Sequence, residues 1–161
     1  MPNENGPSAP FGITHLGVAA VTAADELRNL LEGSGDETPP GELDGLSAGC
    51  AAECEAALRR VKEVLQVVLS RSEAEWPDLD EWKRVLPSWF VDSCVDDVQL
   101  RDCVIDRWSL RAWLHWFQPG VRKWRWWDAE VRDGRLEVQV VVLERPYLRG
   151  ALEWLLKVAA S

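Results

Sequence analysis

Apolar residues recur at three- and four-residue intervals from Cys50 through Cys54, Leu58, Val61, Leu65 and Val68, the spacing at which one face of an α-helix returns. This pattern predicts a helix from Ser47 to about Ser70. Val64, Val67 and Leu69 widen its stripe, so it should pack against more than one element. Weaker stripes with end signals predict further helices. Thr22, with Asp25 three residues on, opens one through Glu32 that Gly33 closes. Asp78 and Glu81 start another whose face is Leu79, Trp82, Val85 and Leu86. Pro87, lacking an amide N–H, then restarts the chain as a second short helix carrying Trp89, Phe90 and Cys94. Ser109 caps a helix with Leu110, Trp113, Leu114 and Phe117 on one side, stopped by Pro119 and Gly120.

The period then changes from helical to alternating. Asp133-Gly134 is a strong hairpin turn signal, and closing the chain there puts Arg132 opposite Arg135. Val131 then faces Leu136, Ala129 faces Val138, Trp127 faces Val140 and Arg125 faces Val142. Cross-strand partners share a face, so Trp127, Ala129, Val131, Leu136, Val138 and Val140 make one apolar surface. The opposite face pairs Trp124 with Leu143, Trp126 with Val141, Asp128 with Gln139 and Glu130 with Glu137, apolar at the base and polar at the tip. Both sides of the base should therefore be covered. In this register Arg122 shares the face of Trp124 and Trp126, while Lys123 and Arg125 point the other way. Pro146 ends the strand, and Leu148, Leu152, Leu155 and Ala159 line a C-terminal helix with Trp154 beside the stripe.

The class that results is α+β: helices packed on a small antiparallel sheet, with a C-terminal hairpin at about 122–131 and 135–143 and a final helix at about 148–160. Residues 11–161 read as one globular domain behind a flexible N-terminus of ten residues. The stretch 11–21, FGITHLGVAAV, reads as a short strand, and 33–45 as a mobile acidic Gly/Pro loop. The stretch 95–106 gives no assignment.

Composition narrows the function classes. The 161 residues are 47% hydrophobic and carry a formal net charge of -9, so the chain can bury a core, and its long-range field repels nucleic acid and anionic membranes. The charge is uneven. Residues 1–60 hold 3 Lys+Arg against 10 Asp+Glu, residues 61–106 hold 5 against 11, and residues 107–161 hold 10 against 6. No run of about 20 apolar residues predicts a membrane span, and the N-terminus lacks the basic and apolar regions of a secretory signal. A cytoplasmic location is the expectation, with Cys50, Cys54, Cys94 and Cys103 as thiols rather than a disulfide framework.

Ten tryptophans, all between 76 and 154, stand beside three Phe and one Tyr. Trp82, Trp113 and Trp127 fall on core stripes. Trp116, Trp124, Trp126 and Trp154 fall off them and, with Arg122 and Arg125, are the candidates for an interaction surface, since Trp and Arg dominate binding hot spots. The segment RKWRWWDA resembles a base-stacking strip, but the net charge and the hairpin register speak against nucleic acid. Close C-x2-C spacing is missing and two cysteines sit in an apolar stripe, so no metal or other cofactor is expected. Asp96, Asp97, Asp102 and Asp106 lack regular ligand spacing and read as solvated loop charge. His115 with Asp128 or Glu130 is the inventory for proton transfer, and no nucleophile elbow, phosphate loop or zinc-protease motif accompanies it.

These features favour a small acidic non-enzymatic interaction protein, an adaptor or a neutralising inhibitor of a basic partner, working through its Trp/Arg-rich C-terminal third. The competing expectations are a small enzyme or small-molecule binder with a Trp-lined pocket, and a subunit of a homo-oligomer.

Overall fold

A computed structural model describes residues 21–51, 53–96 and 107–161 of the chain. Among these, six helices and a three-stranded antiparallel sheet form an α+β arrangement. In chain order they are α1 (Ala23–Glu32), β1 (Leu43–Gly49), α2 (Cys54–Leu69), α3 (Leu79–Val85), α4 (Ser88–Ser93), α5 (Leu110–His115), β2 (Trp124–Arg132), β3 (Arg135–Val142) and α6 (Gly150–Ala160). The expected strand at 11–21 lies outside the described residues except for Val21.

The end signals act as their chemistry dictates. Thr22 Oγ1 accepts from the Asp25 N–H at 3.0 Å, and Asp25 accepts in return from the Thr22 N–H, satisfying N–H groups that the first helical turn leaves without partners. Asp78 and Ser109 cap α3 and α5 in the same sense, at 2.9 Å and 3.1 Å. Pro87 separates α3 from α4 as expected. Asp133 and Gly134 adopt φ of 52° and 73°, the positive values that a tight two-residue hairpin requires.

Two expectations are corrected. The helix predicted from Ser47 begins at Cys54, because Leu43–Gly49 is β1, which takes in residues 43–45 of the expected acidic loop. Leu46 and Ala48 alternate with Ser47 and Gly49, and pairing against β3 sets Leu46 beside Val138 and Ala48 beside Leu136 on the core face. Ser and Gly are poor helix formers, so nothing local opposes the strand. The stripe of the last helix also begins later. Leu152, Leu155 and Ala159 are buried, whereas Leu148 precedes the helix and is 62% exposed.

The hairpin keeps the predicted register from its tip down to Asp128–Gln139, then slips at a β-bulge between Trp126 and Asp128. Below the bulge Trp126 pairs with Val140 and Trp124 with Val142. One extra residue reverses which side chains face the core. Trp124 and Trp126, expected on the outer face, are therefore buried in the central cluster, with Trp126 fully enclosed. Trp127 is the extra residue and is buried too, but outside that cluster.

The core lies between the inner face of the sheet and the helices. Val61, Val64, Leu65 and Val68 of α2 join Leu152, Leu155 and Leu156 of α6 over Leu136, Val138 and Val140. Around Phe90 and Trp113 the rings meet mostly edge to face: Phe90 is 4.6 Å from Trp113 and 5.7 Å from Trp154, and Phe117 is 5.7 Å from Trp124, separations at which such pairs attract. The buried Trp113 indole N–H donates to Ala151 O at 2.9 Å, joining α5 to α6.

A buried ion pair attaches α1 to the sheet. Arg122 and Glu26 meet in a bidentate contact, at 2.5 Å from Nη1 to Oε2 and 2.9 Å from Nη2 to Oε1, with both side chains essentially inaccessible. Glu26 Oε2 also accepts the backbone N–H of Trp126 at 2.7 Å, and Arg122 Nη1 donates to Trp124 O at 2.9 Å. The guanidinium lies 4.9 Å from the Trp124 ring centroid. Removing one member strands the other charge away from water, which costs about 3–5 kcal/mol. Arg122→Met and Glu26→Gln are each expected to lower the unfolding free energy by about that amount in urea titrations, and the double variant by clearly less than their sum. Single-variant losses below about 1 kcal/mol, the size of an exposed pair, would remove this contact from the account.

Candidate functional site

The residues expected to form a Trp/Arg surface are mostly spent inside the fold. Arg122 is held by Glu26, and the rings of Trp124 and Trp126 belong to the core. Arg125 is half-buried, its Nε has no acceptor among the described residues, and burial together with the neighbouring Arg122 lowers its pKa, with Glu26 opposing. Trp116 is half-exposed beside His115, their rings edge to face at 5.1 Å.

The proton-transfer set is not assembled. His115 is exposed on a depression shared with Trp76, Asp78 and Trp82. Asp128 accepts from Ser34 Oγ at 2.7 Å and so fastens the chain after α1 to β2. Glu130 pairs with Arg132 at the exposed hairpin tip. Asp128 and Glu130 line one shallow cavity with Gln139, and His115 does not reach it. Of the acidic set, Asp96 is exposed, while Asp97, Asp102 and Asp106 lie outside the described residues. Among the described residues no group of three His, Cys, Asp or Glu side chains is placed to hold a metal ion, and no helix is long and apolar enough to cross a membrane.

The cysteine expectation is corrected in part. Cys50 and Cys54 form a disulfide, with Cα atoms 5.5 Å apart, closing the link from β1 into α2. The four-residue spacing that suggested a shared helical face instead joins the residue after β1 to the first residue of α2. Cys94 is a free thiol whose pKa burial pushes up to about 12, which leaves it protonated and a weak nucleophile at neutral pH. Cys103 lies outside the described residues.

What the fold does assemble is a groove of about 620 Å3 between β1 and α6. Ser47, Ala48 and Gly49 form one wall, and Gly150, Glu153, Trp154 and Lys157 of α6 form the other. Trp108 and Arg135 also line it. Spacings of three and four residues put the α6 positions on one helical stripe, opposite the positions packed on α2. β1 is an outer strand of the sheet, so one row of its backbone N–H and C=O groups has no strand partner among the described residues, the condition that invites pairing with another chain. Arg135 Nε donates to the neutral Ser47 hydroxyl at 2.8 Å, leaving the positive charge of this side chain at the groove. Of the sequence candidates only Trp154 lines it. Trp108 precedes the Ser109 cap and belongs to no stripe, and Ser47–Gly49 fall within the helix that the sequence predicts, so no sequence signal marks either.

The spacing of the two groove walls is set by a clamp. Asp44 accepts from the Tyr147 hydroxyl and, at 3.0 Å, from Arg149 Nη1, which also donates to Gly45 O at 3.2 Å. These contacts tie β1 to the chain entering α6.

No protein-family model matches this chain, and no curated protein or solved structure matches it either.

The Tyr147 bond, helped by the Gly45 N–H and the nearby Arg149 and Arg145, holds the Asp44 carboxyl below its ordinary value of 3.8. A depressed folded-state pKa stabilises the fold above the unfolded value, and that contribution fades as pH falls through the folded one. The clamp is therefore expected to be intact at neutral pH and to loosen only below about pH 4. Comparing the acid limb of thermal stability in the parent and in Asp44→Asn checks this: the variant should lose part of the dependence below pH 4, and identical acid limbs would contradict the clamp.

Proposed function

We propose that this chain is a small interaction protein that receives an extended segment of another protein along the outer edge of β1. The observation that carries the reading is the groove itself, with an unpartnered strand edge on one side and a helix bearing Trp154 on the other. An incoming strand supplies the missing backbone partners, and its alternate side chains meet the groove walls, a mode in which main-chain bonds give affinity and pockets give selectivity. The half-buried Trp108 suits an apolar side chain, and Trp154, buried against Phe90, adds little surface to it. Arg135 suits a carboxylate of the segment. The net charge of -9 favours a partner that is basic as a whole.

This keeps the class of function anticipated from the sequence and moves it from the hairpin to β1 and α6. The enzyme reading loses support, because His115 stands apart from Asp128 and Glu130. Cytoplasmic residence is the expectation carried over from the sequence, and the Cys50–Cys54 disulfide counts against it, because such bonds persist in oxidising compartments.

Panning a random-peptide library on the parent protein, with Trp108→Ala and Arg135→Glu as counter-screens, tests the reading. Enriched peptides should share an apolar residue and a carboxylate at a fixed short spacing, and should lose binding to both variants. Enrichment blind to both substitutions would overturn it, as would a concentration-dependent dimer in light scattering that Trp108→Ala abolishes, since β1 would then serve a second copy of this chain.

A further inference from the structure

We propose that a second cavity, between α1, the segment at 37–40 and the β-bulge, binds a small, flat, uncharged heterocycle that carries a hydrogen-bond donor and acceptor side by side, the edge of a free nucleobase or a cyclic amide. The cavity measures about 190 Å3 and is independent of the β1–α6 groove.

Its central feature is Asn29. The residue is 2% exposed, yet neither Oδ1 nor Nδ2 of its carboxamide has a hydrogen-bond partner among the described residues. Buried amides are almost always paired, and one left without donor or acceptor weakens a fold that an apolar residue of similar size would strengthen. The neighbouring buried carboxylate on the same face of α1, Glu26, shows the contrast, since it meets two guanidinium N–H groups and a backbone N–H. Asn29 lines the cavity, and its unused donor and acceptor are covered there, so a ligand reaches them by displacing what covers them.

The second feature is Trp127, the extra residue of the bulge. Bulges re-aim side chains beside functional sites, and this one takes the indole out of the central cluster and makes it a wall of the same cavity. An indole beside a carboxamide offers a flat ligand a stacking surface and an edge to read at once.

Charge selects further. Arg28 is the cation at this cavity, and it is engaged by Asp25 at 3.6 Å and by Glu37 at 3.1 Å. Two carboxylates around one guanidinium disfavour an anionic ligand such as a nucleotide. The volume is below the range usual for drug-sized ligands, which fits a single ring system without sugar or phosphate. Val21, Thr38 and Pro40 complete the lining.

Titration of the ¹⁵N-labelled full chain with adenine, cytosine, uracil and nicotinamide, each to low-millimolar concentration, tests the proposal. At least one probe should shift the Asn29 side-chain NH2 and the Trp127 indole N–H together and saturably. Asn29→Leu should fold with an unchanged or higher melting temperature and weaken that probe about tenfold or more, read at the Trp127 indole. Asn29→Asp, nearly isosteric but without the donor, is the second variant and should weaken the same probe if Leu is not tolerated. A cavity filled only by solvent gives no saturable shift with any probe, and that result overturns the proposal. Equal binding by the parent and a folded Asn29 variant overturns it as well.

Discussion

The arrangement of α1 against the sheet depends on a carboxylate buried where a strand edge would otherwise stand open. β2 is an outer strand, and Glu26 reaches from α1 to accept the Trp126 N–H while its charge is balanced by Arg122. Two charges removed from water demand near-complete pairing, and here the carboxylate receives three N–H groups while the guanidinium meets both Glu26 oxygens, Trp124 O and an aromatic face, its Nε alone lacking an acceptor among the described residues. Such a contact tolerates little displacement. It fixes the position of α1, and through the Ser34–Asp128 bond the path of the chain that leaves it.

Two concave features lie on either side of this arrangement. On one side α1 and the bulge leave a small cavity with the Asn29 amide unsatisfied. On the other, β2 is covered by α1, whereas β1 has no outer strand among the described residues and is capped only at Gly45, by Asp44 and Arg149, and α6 stands beside it as a second wall. The proposed docking on β1 rests on this asymmetry between an edge covered by a helix and one that is not.

Local chemistry made much of this legible in the sequence. Thr22–Asp25, Asp78, Pro87, Ser109 and Asp133-Gly134 each act within a few residues of themselves, and each does in the structure what its side chain or ring predicts. Features that need distant partners were not legible. Residues 47–49 directly precede the helical apolar period that starts at Cys50, and become strand because β3 offers Leu136 to Ala48 as it offers Val138 to Leu46. Alternation alone cannot reveal a bulge, and one extra residue at Trp127 moved Trp124 and Trp126 from the presumed surface into the core. Arg122 and Glu26 are 96 residues apart, and nothing local marks either as buried. The candidate site suffered most. Of its nine sequence candidates Trp154 alone lines the groove, because an excess of Trp and Arg signals burial as readily as binding.

Amide hydrogen exchange at Trp126 tests most directly whether the buried pair makes α1 an integral part of the fold. If it does, the Trp126 N–H exchanges as slowly as those of Val138 and Val140 in the central strand, opening only with global unfolding. Fast exchange at Trp126, in step with the amides of α1 while β3 stays protected, would mean that α1 detaches on its own and would contradict the account.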